Sequence, residues 1–308
     1  MTAPRVSAVI PAHNCARFLP QAIDSALAQE GAALEVVVVD DGSTDATPDV
    51  LASYAGRVVA LRQANRGPSA ARNAGIAAST GEFVAFLDAD DTWEREKTRA
   101  QLAYLERHPA CGLVFCDAYL MDEAGHHLAP LLGPRTGEVP TGSCLRELFQ
   151  GNFVLIPGVM VRRSVLERTG GFDERLRNAE DYDLWLRVAE IAEIGLVPEP
   201  LAAWRKRAGQ ASGQRDAMLR GEARALEKAL ARSPSLKAGA RRRFARLHDE
   251  SGWLDLAEGR RGPALRKFLR ALRHDPTWEK PYRHLLATAL ATVGVRHPYP
   301  SSPKYPWK

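Results

Sequence analysis

The sequence predicts an α/β protein with a mostly parallel sheet flanked by helices, followed by a helical extension. In the first 110 residues, apolar runs of strand length alternate with segments whose apolar residues recur at helical spacing. The runs are continuously apolar, as in VVVV at 36–39, which is typical of strands that helices cover on both faces. Such a sheet binds ligands beyond the carboxyl ends of its strands, so polar residues there are the first candidates for a site.

Four strand–helix pairs make up this first part. The strand-like runs are VSAVI (6–10), LEVVVVD (34–40), VVALRQ (58–63) and EFVAFLD (82–88). The helix-like segments that follow them are CARFLPQAIDSALAQ, DGSTDATPDVLASYA, SAARNAGIAAS and TWEREKTRAQLAYLERH. In the second helix Ser43, Thr44 or Asp45 can cap the first turn, in which Pro48 also lies. The fourth helix is predicted to begin near Trp93.

The second part of the chain is more mixed. Its strand-like segments are GLVFCDAYLMDEAG (112–125), FVLIPGVMV (153–161) and GLVPEPLAAWRK (195–206). Its helix-like segments are SCLRELFQG (143–151), RSVLERTG (163–170) and EDYDLWLRVAEI (180–191). Gly170 is predicted to close the second of these helices, and Leu184, Trp185 and Val188 are predicted to face the core from the third.

Charge divides the chain into an acidic body and a basic extension. Residues 1–215 hold 22 Lys and Arg against 28 Asp and Glu, whereas residues 216–308 hold 20 against 9. We therefore predict a body at 1–215, with halves 1–110 and 111–215, and a basic helical extension at 216–292. The extension contains LAEGRRGPALRKFLRALRHDPTW, which is typical of one helix-turn-helix unit of tetratricopeptide type. The Pro-rich residues 293–308 are predicted to be disordered.

Composition disfavours several classes of protein. Every apolar run is far shorter than the ~20 residues of a membrane-spanning helix, and MTAPRVSAVIPAHN lacks an apolar stretch of signal-peptide length. We therefore expect a cytoplasmic protein. Four cysteines without a CxxC pair fit reduced thiols in the core better than a zinc site or a disulfide framework.

The segment FLDADD, residues 86–91, carries three carboxylates on four positions directly after a buried strand. Like charges at this spacing repel, and burying an unpaired carboxylate costs several kcal/mol or raises its pKa until it binds a proton. Asp88 and Asp90 lie on the same side of an extended chain, because side chains there alternate with a period of two. Mg²⁺ and Mn²⁺ bind such carboxylates together with substrate phosphates. A divalent cation is one explanation of the segment, and a carboxylate-rich loop that caps the next helix is the other.

Two aspartates also end the second strand, in VVVVDDGSTDAT. A carboxylate at Asp40 or Asp41 can accept a hydrogen bond from a base N–H or a ribose hydroxyl, although a turn with a helix cap explains the same residues. The first strand ends in PAHN, and neither G-x-G-x-x-G nor G-x-x-x-x-G-K-[ST] follows it. These absences disfavour a dinucleotide site and a P-loop.

Five segments in this order resemble glycosyltransferase family 2. They are VSAVIPAHN, VVVVDDGSTDAT, NRGPSAARNAGIAASTGEFVAFLDADD, GGFDERLRNAEDYDLWLRV and WRKRAGQAS, and together they cover roughly residues 5–212. One such segment is a weak signal, whereas five at the usual separations are a strong one. The sequence departs from the pattern at His13, where many members carry Tyr. The resemblance implies the GT-A fold, with a Rossmann-like sheet, and inverting transfer of a sugar from a nucleotide diphosphate donor to a hydroxyl.

The resemblance also implies a donor site. Its residues would be Pro11, Ala12, His13, Asn14, Asp40, Asp41, Arg72, Asp88 and Arg205. Asp41 would receive the base, Asp40 would support the loop around it, and Arg72 would lie near the base or phosphates. Asn73 and Gly75 would allow close packing of their helix.

Metal and catalytic roles follow from the same resemblance. Asp90 would be the principal ligand of a Mn²⁺ or Mg²⁺ ion, and Asp88 would face that ion or the ribose. Asp91 is expected to cap the following helix. The family's base is the acidic residue of its ED motif, here Glu180-Asp181, and we assign the base to Asp181. Without the family context, the helix macrodipole would explain these acids, and it stays our explanation of Asp183.

The segment WRKRAGQAS places Arg205, Lys206 and Arg207 after a strand. A solvated basic loop explains this segment about as well as a clamp or lid on the donor diphosphate. We assign the clamp to Arg205.

The cations of the extension leave three explanations open. They are Arg241, Arg242, Arg243, Arg246, Arg260, Arg261, Arg266, Lys267, Arg270 and Arg273. A solvated outer face of a helical hairpin is favoured over peripheral contact with an anionic membrane, which would bring the enzyme to a lipid-linked acceptor. Nucleic acid ranks last, because no aromatic platform accompanies the arginines.

Together these patterns predict a metal-dependent inverting glycosyltransferase with a UDP-sugar as the favoured donor. The predicted acceptor is a glycan or lipid-linked glycan of bacterial surface polysaccharide, lipopolysaccharide or glycolipid synthesis. One alternative is a nucleotidyltransferase on a related sheet, which is disfavoured because its Gly-rich, Lys-containing phosphate loop is missing. The other is a non-catalytic module that binds sugar nucleotides or a membrane surface, and Asp90 and Asp181 argue against it.

Overall fold

The computed structural model describes residues 5–207 and 214–292, without the side chains of residues 134–136, 291 and 292. The chain separates into two compact units, Met1–Gln210 and Ala211–Lys308. The predicted disordered segment 293–308 lies outside the described residues. The division of the body into halves at residue 110 stays a prediction.

One mixed sheet forms the centre of the first unit. Over its described residues the strands are β1 (Val6–Ala12), β2 (Leu34–Asp41), β3 (Val59–Gln63), β4 (Phe83–Phe86), β5 (Thr92–Trp93), β6 (Cys111–Met121), β7 (His127–Pro130), β8 (Met160–Arg162) and β9 (Glu193–Arg205). The helices are α1 (Leu19–Leu27), α2 (Thr47–Ser53), α3 (Pro68–Ala78), α4 (Lys97–Arg107), α5 (Leu145–Gln150), α6 (Arg163–Thr169) and α7 (Glu180–Ala189). The strand order is β3-β2-β1-β4-β8-β6-β9-β5, with β7 paired to β6.

The first four neighbouring strands, β3, β2, β1 and β4, are parallel, as the apolar runs predict. Val37, Val38 and Val39 are fully buried, because helices cover both faces of this half of the sheet. The register places Ala12 beside Asp40 and Asp41 beside Gln63, so that the carboxyl ends of the strands meet at one edge. The candidate site therefore lies at this edge.

Helix α3 packs unusually close to the sheet. A Cβ atom built on Gly75 would lie 2.4 Å from Cγ1 of Val9, so only glycine fits here without movement of β1. Ala71 is fully buried one turn earlier and packs against Val37 and Val39. The prediction that Gly75 allows close helix packing is confirmed.

The predicted strand at 153–161 is wrong for most of its length. Residues Ile156–Gly158 form a 3-10 turn, and the strand β8 begins only at Met160. Pro157 cannot donate to a ladder, and a Cβ on Gly158 would lie 2.6 Å from the carbonyl oxygen of Cys116. β8 pairs antiparallel with both β4 and β6, so this half of the sheet is mixed.

The helix after FLDADD begins at Lys97 and not near Trp93. Thr92 and Trp93 instead form the short strand β5, which pairs antiparallel with β9. The indole N–H of Trp93 donates to the carbonyl oxygen of Pro157 at 2.7 Å. This tertiary contact fixes the extended conformation, which sequence periodicity alone does not indicate.

The second unit is helical in its described residues. It contains α8 (Arg215–Arg232), α9 (Lys237–Ala257), α10 (Arg261–His274) and α11 (Glu279–Thr292). Helices α9 and α10 pack closely, because a Cβ on Gly252 would lie 2.7 Å from the ring of Phe268. The tetratricopeptide-like segment covers the end of α9, the turn and α10.

The cations of the second unit fall into two groups. Arg243 is buried and pairs with Glu222 at 2.8 Å, and Lys267 pairs with Asp255 at 2.8 Å, so these two hold helices together. Arg242 and Arg260 also form ion pairs, with Asp275 and Asp255 respectively. By contrast, Arg266, Arg270 and Arg273 are exposed on α10, where Leu269 is 50% exposed between them.

The cysteine prediction is confirmed, because Cys15, Cys111, Cys116 and Cys144 are all buried and free. Burial raises the pKa of Cys111, Cys116 and Cys144 to about 11, which keeps these thiols protonated. Among the helices described, none combines the length and the apolar character needed to cross a membrane.

Candidate functional site

Three aspartates follow β4 in a tight turn, in which the N–H of Asp91 donates to the carbonyl oxygen of Asp88 at 3.0 Å. Each of them contacts an arginine. Arg72 pairs with Asp88 at 2.7 Å and Arg207 pairs with Asp90 at 2.6 Å. The backbone N–H of Arg205 donates to Asp91 Oδ1 at 2.8 Å. The positive charge that FLDADD requires is thus supplied in part by the chain itself.

Arg72 lies between two acidic motifs. Its Nη2 donates to Asp88 Oδ1 at 2.7 Å, and its Nη1 donates to Glu180 Oε1 at 3.0 Å. The residue is only 5% exposed and its guanidinium lies 5.3 Å from the ring centre of Phe172. The two carboxylates raise the pKa of Arg72 further, although burial opposes them. Arg72 thus contacts both Asp88 and Glu180, and its expected place near a base or phosphate stays a prediction.

Arg205, the predicted clamp of the donor diphosphate, is buried as well. It is 1% exposed, and its Nε donates to the carbonyl oxygen of Asp90 at 2.7 Å. Its Nη1 donates to the carbonyl oxygens of Asp122 and Glu123, and its Nη2 donates to Gln21 Oε1 at 2.6 Å. A guanidinium bonded in this way holds the turn of FLDADD in place, and its predicted contact with the donor diphosphate stays a prediction.

Asp91 has a different role from the predicted helix cap. It is 1% exposed, and the N-cap position of α4 is Glu96. Its Oδ2 accepts no hydrogen bond from the residues described. Burial raises the pKa of Asp91 well above its usual value, and the charges of Asp88 and Asp90 raise it further. Asp91 thus fastens β9 to the turn through Arg205 without adding a full negative charge.

The ED motif begins helix α7, with Glu180 and Asp181 in its first turn. Asn178 and Ala179 immediately before it have φ of 65° and 58°, a left-handed conformation that side chains disfavour. Asp181 is partly exposed, and its Oδ1 accepts a hydrogen bond from the N–H of Tyr182 at 2.7 Å. Burial raises the pKa of Asp181 to about 7, and the neighbouring charge of Glu180 contributes. A carboxylate with this pKa suits general base catalysis near neutral pH.

Asp183 lies one residue beyond Tyr182 in the same turn, and it is fully buried. It pairs with Arg187 at 2.9 Å. This ion pair gives Asp183 a more specific role than the predicted interaction with the helix macrodipole.

The segment PAHN at the end of β1 contacts the loop after β2. Asn14, with φ of 51°, accepts the N–H of Thr44 on its Oδ1 at 2.8 Å, and its own N–H donates to Ser43 Oγ at 3.0 Å. His13 is exposed, and its Nδ1 donates to the carbonyl oxygen of Asp41 at 2.9 Å. This bond leaves Nε2 as an acceptor, and it lies 3.2 Å from the amide nitrogen of Asn65. Pro11 is partly buried and Ala12 is buried at the base of the segment.

Asp40 and Asp41 are both buried at the end of β2. Asp40 accepts the N–H of Ser43 at 2.9 Å, which agrees with a supporting role in the loop. Asp41 accepts the backbone N–H groups of Arg66 at 2.9 Å and Gly67 at 2.7 Å, and the amide of Gln63 at 2.7 Å. Asp41 therefore holds the loop before α3, a role that the sequence reasoning missed. Its predicted contact with the base stays a prediction.

Asn73 is a second residue whose role the sequence reasoning missed. Its side-chain amide donates to the carbonyl oxygen of Phe172 and accepts the N–H of the same residue, both at 2.9 Å. Gly171 fits beside it with φ of 70°, and a Cβ there would lie 2.7 Å from Asn73 Oδ1. These two hydrogen bonds align the GGFDE segment, and hence the ED motif, with helix α3. The signal was present in the sequence only as the R-N pair of SAARNAG.

Asp88 and Asp90 fit a divalent cation by the chemistry of their donor atoms. Hard cations take carboxylate oxygens, and Mg²⁺ commonly uses one or two of them with substrate phosphates. Arg72 contacts Oδ1 of Asp88 and Arg207 contacts Oδ2 of Asp90, which leaves each carboxylate a second oxygen. Within residues 5–207 and 214–292, no three acidic, His or Cys side chains form a metal-binding group. Substrate phosphates and water molecules would complete the coordination of such a cation.

A family model described as "Glycosyl transferase family 2" matches residues 7–170, which is more than half of the chain. The chain belongs to this family. The match contains the β1, β2 and β4 ends that carry PAHN, DDGSTD and FLDADD. The predicted family, the GT-A type of fold and the assignment as a transferase are thereby confirmed.

Two relatives show how much of the chain is shared. An uncharacterised glycosyltransferase of Rickettsia prowazekii is 32% identical over 213 residues, which cover 67% of this chain and 65% of the relative. The succinoglycan biosynthesis protein ExoO of Rhizobium meliloti is 39% identical over 195 residues, which cover 59% of this chain and 54% of ExoO. The chain thus matches less than two thirds of the length of either relative.

Solved structures of family neighbours have the same fold. TarS of S. aureus (residues 1–349), in complex with UDP-GlcNAc, superposes with a TM-score of 0.69 at 18% identity, covering 95% of this chain and 93% of that one. The mannosyltransferase PcManGT of Pyrobaculum calidifontis, in complex with GDP-Man and Mn²⁺, gives a TM-score of 0.63 at 21% identity, covering 96% and 82%. Similarity at this level of identity establishes the fold.

The double ion pair of Arg72 generates a prediction. Replacing Arg72 with Met leaves Asp88 and Glu180 facing each other without a shared cation, so we expect the free energy of unfolding to fall by about 3 kcal/mol. Chemical denaturation of the full chain measures this loss. The control Arg57→Met removes an exposed arginine 4.0 Å from Asp24 and should change stability by less than about 0.5 kcal/mol. Equal stability of the two variants would contradict the bridging role.

Proposed function

We propose that this chain transfers a sugar from a nucleotide diphosphate donor to an acceptor hydroxyl, with inversion at the anomeric carbon. The observation that carries the proposal is the double ion pair of Arg72. It holds the carboxylates of FLDADD, which suit a diphosphate with its cation, close to the Glu180-Asp181 pair, which suits an acceptor. A leaving-group side and a base side held this close favour a single displacement.

Asp181 is the proposed catalytic base. A pKa of about 7 leaves about half of the carboxylate ionised at neutral pH, while it retains the basicity to take a hydroxyl proton. As the carboxylate takes this proton, the acceptor oxygen forms a bond to the anomeric carbon on the face opposite the diphosphate. The bond from that carbon to the diphosphate oxygen breaks and its electron pair leaves with the diphosphate. One such displacement inverts the configuration.

Asp90 and Asp88 are the proposed ligands of a Mn²⁺ or Mg²⁺ ion. When bound, such an ion neutralises charge on the departing diphosphate. Arg205 supports this role by holding the backbone of Asp90 in place at 2.7 Å. The Mn²⁺ in the PcManGT complex also supports it.

The nucleotide pocket is proposed to lie at Pro11, Ala12, His13, Asn14 and Asp41, with Asp40 holding the loop. A UDP-sugar is the proposed donor, and the UDP-GlcNAc complex of TarS supports this choice. The proposed acceptor is a glycan or lipid-linked glycan of a bacterial surface polysaccharide, which the role of ExoO in succinoglycan biosynthesis supports. A cytoplasmic location stays a prediction.

We also propose that the exposed face of α10 contacts an anionic membrane. Arg266, Arg270 and Arg273 surround Leu269 on this face, which combines positive charge with an apolar side chain. Each basic residue near such a surface contributes about 1 kcal/mol.

A panel of nucleotide sugars tests the donor and the cation together. We expect one UDP-sugar to raise the melting temperature in the presence of Mn²⁺, and to do so much less after chelation, because a ligand of the folded state stabilises it. The same donor should be hydrolysed or transferred, and Asp90→Asn should abolish this activity. Equal stabilisation with and without divalent cation would contradict the metal role of Asp90.

Asp181→Asn should leave donor binding intact and abolish transfer. In the native enzyme we expect kcat/KM to fall about tenfold between pH 8 and pH 6, because the base is protonated below its pKa of about 7.

The pKa of Asp181 is higher in the folded chain than in the unfolded chain, so ionisation of Asp181 lowers the free energy of unfolding. This loss begins near pH 4 and is complete above pH 7. Asp181→Asn should therefore raise the melting temperature more at pH 8 than at pH 5.

A matched control is Asp49→Asn, which changes an exposed acid in the first turn of α2. This variant should keep full activity, the native pH profile and a melting temperature that depends on pH as in the native protein. Full transfer by Asp181→Asn, with normal donor binding, would overturn the assignment of the base.

The membrane contact is tested with vesicles. Replacing Arg266, Arg270 and Arg273 with Gln should lower the affinity for phosphatidylglycerol vesicles at least tenfold at low salt, and leave phosphatidylcholine vesicles unbound. The control replaces Arg57, Arg99 and Arg107, three exposed arginines of the first unit, and removes the same charge. Equal losses in both triple variants, or no vesicle binding by the native protein, would contradict the proposed face.

A further inference from the structure

Arg207 occupies the carboxylate that the proposed function assigns to a cation. Its Nε donates to Asp90 Oδ2 at 2.6 Å, which is the short distance of a charge-assisted hydrogen bond. A guanidinium and a divalent cation both carry positive charge, so a cation bound to the second oxygen, Oδ1, would be repelled by Arg207 on Oδ2. Occupation of Asp90 by one therefore disfavours the other.

Arg207 differs in exposure from the two other arginines at FLDADD. Arg72 and Arg205 are 5% and 1% exposed. The side chain of Arg207 is 33% exposed, and that of Asp90 is 14% exposed. Arg207 can therefore leave Asp90 by a rotation of its side chain, without opening the core.

The surroundings of Arg207 suit a second position close by. The ring of Phe18 lies 5.9 Å from its guanidinium, and the same ring lies 4.9 Å from the guanidinium groups of Arg17 and Arg205. Three guanidinium groups thus surround one aromatic ring in a region beside FLDADD. An anionic group that enters beside Asp90 meets this region.

We propose that Arg207 is a binding residue for the donor diphosphate, and that it is exchanged for the cation at Asp90. In the ligand-free protein it neutralises Asp90. When the divalent cation takes that carboxylate, Arg207 turns to the diphosphate, whose oxygens accept its N–H groups in a bidentate manner. The exchange keeps the site close to neutral in both states, because cation and diphosphate enter with opposite charges. The diphosphate part of this inference rests on the proposed function.

The exchange predicts two changes of opposite sign in Arg207→Gln. Without donor, the variant should bind Mn²⁺ about three- to tenfold more tightly than the native chain, because the competing cation at Asp90 is gone. With saturating Mn²⁺, the same variant should bind UDP or GDP about tenfold more weakly, because the guanidinium that would hold the diphosphate is missing. Calorimetry on the full chain measures both affinities.

Lys206→Gln is the matched control, since Lys206 is exposed, adjacent and of the same charge. It should change both affinities by less than twofold. The exchange is overturned if Arg207→Gln binds Mn²⁺ no more tightly than Lys206→Gln, or binds the nucleotide as tightly as the native chain in Mn²⁺. If the native chain binds neither UDP nor GDP, the proposed function fails, and the Mn²⁺ arm still decides whether Arg207 competes for Asp90.

Discussion

The repulsion among the carboxylates of FLDADD is the constraint on which the site depends. Three acids at the end of a buried strand cannot all be ionised without compensation. Arg72 and Arg207 form ion pairs with Asp88 and Asp90, and the backbone N–H of Arg205 donates to Asp91. Two of these arginines come from β9 and its end, and the third comes from α3. The conformation of the turn therefore depends on the packing of β9 and α3 against the sheet.

Arg72 extends this dependence to the ED motif. It contacts both Asp88 and Glu180, although Glu180 lies 108 residues after Arg72 in the chain. Asn73, the next residue of α3, aligns the segment before Glu180 through the backbone of Phe172. One turn of a small-residue helix thus sets the distance between FLDADD and the ED motif. The high pKa of Asp181 follows from the same crowding, because burial and the charge of Glu180 both disfavour its ionised form.

The sequence predicts the acids of this site better than their partners. Continuous apolar runs predict β1, β2 and β4, and strand ends of a parallel sheet converge, so Asp40, Asp88 and Asp90 could be recognised as site residues. The burial of Arg205 could not be foreseen, because a basic residue after a strand has the same pattern whether it faces solvent or the turn of FLDADD. The helix predicted near Trp93 failed for a related reason: a single hydrogen bond to Pro157 overrides helical periodicity. Contacts between distant segments leave no periodic trace in a sequence.

The left-handed backbone conformation of the two residues before the ED motif affects both the stability of the enzyme and the substitutions that selection can accept. Ala179 has φ of 58°, a conformation that costs a residue with a Cβ about 1 kcal/mol relative to glycine. A glycine would relieve this strain, yet it would also let the start of α7 sample other directions and blur the position of Asp181. Alanine at this position therefore lowers stability but restricts the orientation of Asp181. Selection for a more heat-resistant enzyme would be expected to spare this position and act elsewhere.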